Sequence, residues 1–202
     1  MTDMSAAAQA ETMLEWKGPF TWSGSGPDGL FSSEYAKATG AYLMTAPWND
    51  GYLIWGPGIT VRPFAQRFWE HTKEFLSGTY NVLDAAALVQ AQRVMVWHGL
   101  WYRKDRFGRL DEFLTKYAEL APHVVRLLST LRIFVAPMNC EKRLLERIEA
   151  AVVSALYSAG PPIDQIPDHG MRLCPRRGDE RPVLVVNRCA VTLHGIPQMF
   201  QV

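Results

Sequence analysis

Apolar positions recur along this chain with two periods. A compact apolar run over 40–46 and a second over 52–55 have the length and aromatic content of strands, and Asn49-Asp50-Gly51 between them predicts a hairpin turn. Gly56-Pro57-Gly58 cannot continue a regular strand, so a turn or bulge is expected there. Phe64, Phe68, His71 and Phe75 then fall on one helical face, predicting a helix from Phe64 to Leu76 that Gly78 ends. The pattern continues with a short helix over 85–91, a strand over 94–100, a charged loop over 105–109 and a helical stretch over 110–131 that Pro122 should break or restart. A short strand over 133–136 precedes an amphipathic helix over 140–157, whose stripe is Leu144, Leu145, Ile148, Val152, Ala155 and Leu156 and which Gly160-Pro161-Pro162 stops. Two further strands, over 183–186 and 190–193, follow an Arg-rich loop over 172–181.

This order implies an α+β fold in which a small antiparallel sheet is flanked by helices. Residues 1–12 read as a disordered or helical tail and 18–29 as a loop arm packed by Trp16, Phe20 and Trp22. The organisation expected is therefore an N-terminal tail and aromatic arm over 1–34, a core over 35–160 and a C-terminal β extension over 161–202 packed on that core.

Composition narrows the class only a little. A hydrophobic fraction of 48% and 202 residues suit one soluble domain with a sizeable core. The net charge of +1 announces no global basic field, although a local basic groove would suffice to steer a polyanion. Cys140, Cys174 and Cys189 are odd in number and have no metal-ligand spacing, so free thiols in a reducing cytoplasm are expected. Residues 1–11 lack the basic and apolar regions of a secretory signal, and no apolar run reaches the roughly 20 residues that span a bilayer.

The candidate chemistry lies between Gly40 and His71, with one carboxylate far downstream. Gly40-Ala41-Tyr42 stands on the first hairpin strand. Gly58-Ile59-Thr60 closes the second, Arg67 and His71 lie one turn apart on the next helix, and Glu149 opens Glu149-Ala150-Ala151-Val152-Val153. In this order the residues resemble the GIY-YIG nuclease family over roughly 39–157. The resemblance implies a divalent-metal-dependent endonuclease that hydrolyses phosphodiester bonds, with DNA as the expected substrate. It implies that Tyr42 assists proton removal from water, Arg67 binds the scissile phosphate, His71 accompanies it as in restriction-type members, and Glu149 holds Mg²⁺ or Mn²⁺. Such chemistry suits these residue types: a guanidinium fork matches phosphate, and a hard cation needs few carboxylates.

The second motif departs from the family. Gly56 stands where a tyrosine is expected, two residues before Gly58, and Tyr52 and Trp55 are the nearest substitutes. A catalytically degenerate relative that binds nucleic acid or a protein is the alternative this departure suggests. Arg62 and Lys73 flank the motif as candidate phosphate contacts, and Trp48, Trp55 and Trp69 as candidate stacking surfaces or core. Glu146 rivals Glu149 for the metal role. His98, His169 and the 172–181 loop read as structural or solvated.

Overall fold

A computed structural model describes residues 10–22, 26–100 and 108–202. The chain is α+β, built on one curled mixed sheet. Its strands are β1 (Ala10–Thr21), β2 (Gly40–Trp48), β3 (Gly51–Thr60), β6 (Arg132–Pro137), β7 (Val183–Cys189), β8 (Thr192–His194) and β9 (Met199–Gln201), in the order β8-β3-β2-β6-β1-β7-β9. Strands β4 (Val82–Leu83) and β5 (Met95–Trp97) make a separate two-stranded ribbon. The helices among the described residues are α1 (Phe64–Leu76), α2 (Ala85–Leu88), α3 (Gly108–Thr130) and α4 (Lys142–Ser158).

The sheet is larger than expected and not purely antiparallel. The hairpin β2–β3 and strand β6 form an antiparallel centre, but β1 pairs parallel with β7, and β3 pairs parallel with β8. Only Ala190 and Val191 separate β7 from β8, yet the two lie near opposite ends of the strand order. Three residue steps reach about 11 Å at most, so the sheet must curl until its ends nearly meet.

Each face of the curl carries its own core. One face packs Tyr42, Met44, Leu53 and Trp55 against Phe64, Phe68 and Phe75 of α1 and Leu120, Val124 and Leu127 of α3. The other packs Leu14, Ala41, Leu43, Ile54 and Phe134 around Ile148, Val152 and Leu156 of α4. Strand alternation explains the split, since neighbouring residues of β2 point to opposite faces.

Several local expectations are corrected. Residues 10–12 belong to β1 rather than to a tail, because Leu14 and Trp16 bury into the α4 core and carry the strand with them; the tail over 1–9 lies outside the described residues. The arm is strand as far as Thr21. Pro122 neither breaks nor restarts α3, which runs through it. The charged loop over 105–109 lies outside the described residues as far as 107, and Gly108 and Arg109 already open α3. The hairpin loop is Asn49-Asp50, with Asn49 at φ 49°, and Gly51 begins β3 opposite Trp48. No helix of the described residues is long and apolar enough to cross a membrane.

Candidate functional site

The site forms where β3 leaves the sheet and enters α1. Gly58 lies directly opposite Tyr42 on β2. A Cβ built on Gly58 would stand 2.4 Å from both Cζ and the hydroxyl oxygen of Tyr42, so only glycine lets the Tyr42 ring lie across this backbone. The backbone amide of Ile59 hydrogen-bonds the Glu149 carboxylate. Thr60 then closes the turn: its hydroxyl donates to the Arg62 carbonyl at 2.9 Å and accepts from the Arg62 amide at 3.0 Å. Gly58, Ile59 and Thr60 thus set Tyr42, Glu149 and the start of α1 respectively.

Helix α1 brings Arg67 and His71 to Tyr42 because positions four apart lie on one face. Nε2 of His71 is 2.9 Å from the Tyr42 hydroxyl, and Arg67 Nε donates to the same oxygen at 3.4 Å. His71 and Tyr42 are both buried. Burial pushes the Tyr42 hydroxyl up to about 12, against the opposing pull of Arg67. Burial, aided by the charges of Arg67 and Arg62, holds His71 down to about 3, so its ring is neutral at physiological pH. Arg67 also reaches Glu70, at 3.5 Å.

Glu149 approaches from the other layer. Lys142, Glu146 and Glu149 repeat at i, i+4 and i+7 on α4, and this stripe shares a cleft of about 370 Å³ with Arg62, Arg67, Arg172 and Cys174. Burial raises the Glu149 carboxyl to about 7, although Arg67 across the cleft opposes the rise. Glu146 differs: Lys142 at 3.1 Å and Arg143 at 3.6 Å pair with it and lower it. Glu149 makes no ion pair within 4.0 Å among the described residues, so it is the carboxylate in this cleft that lacks a counter-charge. Among the described residues no three His, Cys, Asp or Glu side chains cluster as a protein-only metal cage. One open carboxylate suits a hard cation that keeps waters and substrate oxygens as its other ligands.

The remaining sequence candidates divide. Arg62 lines the cleft but is tied to Glu70 at 2.7 Å. Lys73 is exposed, off the cleft lining, and lies a third of a turn round α1 from Arg67. Tyr52 faces the other core, its ring edge-on to Phe134 at 5.0 Å, and so is not brought to Tyr42. Against expectation, β3 runs through Gly56-Pro57-Gly58, which pair with Met44, Leu43 and Tyr42. The irregularity lies earlier, at Trp55, between the pairs Met44–Gly56 and Thr45–Ile54, and Trp55 packs in the core against Phe75. At Gly56 the space a Cβ would take is filled by the Met44 methyl, 2.5 Å away. Trp48 packs on His194, and Trp69 is 56% exposed.

Two features escaped the sequence. Tyr80 lies beyond α1, where Gly78 at φ 70° reverses the chain, and its hydroxyl returns to 3.1 Å from His71 Nδ1. No periodicity carries across such a reversal. The 172–181 loop is largely exposed, as expected, but two of its residues, Arg172 and Cys174, also line the cleft. Arg143 holds it there by donating to the carbonyls of Cys174 and Pro175 and to both Glu180 oxygens. A larger hollow of about 480 Å³ lies at the β7–β8 seam, away from these groups. There Trp16 donates to Asn187, which donates to the Pro197 carbonyl, so its polar lining is internally satisfied.

Compared with known protein families, with curated proteins and with solved structures, the chain matches none.

Proposed function

We propose that this chain is a divalent-metal-dependent phosphodiesterase of the GIY-YIG type, acting as an endonuclease on DNA. The observation that carries the reading is a cleft lined by the Arg67 guanidinium and the unpaired Glu149 carboxylate from opposite layers of the fold, with a buried tyrosine–histidine pair joined to that guanidinium through the Tyr42 hydroxyl. Tyr42 takes a proton from the attacking water while its own proton is drawn by His71. Arg67, its Nε on Tyr42 and its Nη1 on Glu70, has its remaining N–H groups for the phosphate and offsets the charge that grows there. Glu149 would hold Mg²⁺ or Mn²⁺, whose chemistry is to stabilise the leaving oxygen. Lys142 and Arg172 on the cleft rim suit contacts to neighbouring phosphates.

The alternative is a non-cleaving nucleic-acid or protein-binding domain. Met44 in the space that a side chain at Gly56 would fill favours it, because the family's second tyrosine has no room there.

A plasmid-nicking assay over a Mg²⁺ and Mn²⁺ titration, with DNA binding followed in parallel, separates the two. The nuclease reading expects metal-dependent nicking that Arg67→Ala reduces on the order of a hundredfold or more and that Arg67→Lys restores only in part. Wild-type chain that binds DNA without nicking it at any metal concentration establishes the alternative.

A further inference from the structure

His71 touches two tyrosines, and the sequence motif accounts for only one of them. Nε2 meets Tyr42 at 2.9 Å and Nδ1 meets Tyr80 at 3.1 Å. A neutral imidazole donates from one nitrogen and accepts at the other, so the two contacts must run in one direction. Arg67 fixes that direction. Its Nε–H can only donate, and it points to the Tyr42 oxygen at 3.4 Å. Tyr42 is buried, and the acceptor available to its own hydroxyl proton among the hydrogen bonds at the site is His71 Nε2. The opposite arrangement would give the Tyr42 oxygen two donors and leave its proton buried without an acceptor, which buried polar groups avoid. Tyr80 is under no such constraint: it is partly exposed, and its hydroxyl proton can go to water.

We infer that His71 is the Nδ1-protonated tautomer, with Nε2 accepting from Tyr42 and Nδ1 donating to Tyr80, and that Tyr80 forms the solvent end of a proton path leading away from Tyr42. The role in turnover rests on the nuclease reading; the tautomer does not. In that path the water proton passes to the Tyr42 oxygen, the Tyr42 hydroxyl proton to His71 Nε2, the Nδ1 proton to the Tyr80 oxygen, and the Tyr80 hydroxyl proton to bulk water. Hydroxide is delivered to phosphorus, one proton reaches solvent, and no residue changes charge. His71 ends as the other tautomer. The path resets by running backwards once product has left, the Tyr42 proton passing to the water that takes the place of the attacking one. Because the imidazole is never required to remain charged, its burial against Arg67 is compatible with the task. The second tyrosine hydroxyl of the site thus comes from the segment after α1 rather than from the second hairpin strand, where Gly56 stands.

Long-range proton–nitrogen correlation NMR on the full chain with ¹⁵N-histidine reads the tautomer directly, with His71→Gln assigning the ring among the five histidines. The wild type should show Nδ1 protonated and Nε2 bare. Tyr80→Phe should leave His71 protonated at Nδ1, because Arg67 and Tyr42 still set its direction, without lowering the melting temperature enough to unfold the chain. In single-turnover nicking the same variant should lose on the order of tenfold or more in rate, with DNA affinity within about twofold of wild type. A wild-type ring protonated at Nε2 overturns the assignment whatever the activity. A folded Tyr80→Phe chain whose nicking rate holds overturns the proton path. A wild type that nicks nothing while showing the Nδ1 tautomer removes the nuclease reading and the path together, and supports the tautomer alone.

Discussion

Gly58 and Glu149 show how single residues are fixed by what faces them. Gly58 is required by the Tyr42 ring rather than by its own backbone angles, since a Cβ would strike that ring at 2.4 Å. Gly58→Ala should therefore push Tyr42 off Arg67 and His71. We expect nicking to fall on the order of a hundredfold while stability falls only about 1–3 kcal/mol, read by denaturant unfolding beside the activity assay. Unchanged nicking in a folded Gly58→Ala chain would take Tyr42 out of the chemistry. For Glu149 the folded carboxyl titrates near 7, against 4.5 for a free side chain. Between those pH values the folded chain holds more proton than the unfolded one, so this group makes stability fall as pH rises through the window. Glu149→Gln should then stabilise the metal-free protein on the order of 1 kcal/mol at pH 8, a value discounted for partial exposure, and make no difference at pH 4. Added Mg²⁺ should stabilise the wild type and not the variant. Equal unfolding midpoints for the two chains at pH 8 would show that Glu149 carries no burial penalty.

Among the elements, those that repeat a strong local period were legible in the sequence. Helix α1 begins and ends where Phe64, Phe68, His71 and Phe75 and the glycine after them place it, and β2 and α4 lie within two residues of expectation, whereas β3 runs five residues past the expected end, to Thr60. Legible too was that Arg67 and His71 share a face. What the pattern could not carry was contact made by folding back. Tyr80 reaches His71 across a reversal, and Arg172 reaches the cleft because Arg143, on a different element, captures the loop's carbonyls. The loop is solvated as its composition suggests, but Glu180 is spent on Arg143 rather than on the loop's own Arg172. The clip yields a prediction at this scale. Arg143→Ala frees the segment from 172 to 181 and leaves Glu146 with one cation fewer. DNA affinity should drop by a few-fold to tenfold and become less salt-dependent, because a phosphate contact is lost, while the melting temperature changes little. Binding isotherms at several salt concentrations test this. An unchanged salt slope would place Arg172 outside the interface.

For the molecule as a whole, the C-terminal strands decide whether the sheet can hold its curl. By composition the sequence presents the start of β1, residues 10–12, as tail and its end, residues 18–21, as loop arm. The segment becomes a strand by lying between β6 and β7, with seven residue pairs to β7. Strand β8 meanwhile covers the outer edge of β3, the strand that carries Gly58, Ile59 and Thr60 to the site. Both edges of the sheet are therefore closed by a segment that sequence order alone presents as an extension. Leu14 and Trp16, buried against α4, would be left on an open edge without it. Arg147, itself buried on α4, would lose the Val202 carbonyl that accepts from it. A chain ending at Pro182 should thus fail to show a cooperative thermal transition and should expose apolar surface to a hydrophobic dye, rather than simply lose activity. Should it melt cooperatively within a few degrees of the full chain, the strands after Pro182 would be a separable layer. The curled sheet would then owe its stability to α4 and the four antiparallel strands β3, β2, β6 and β1 alone.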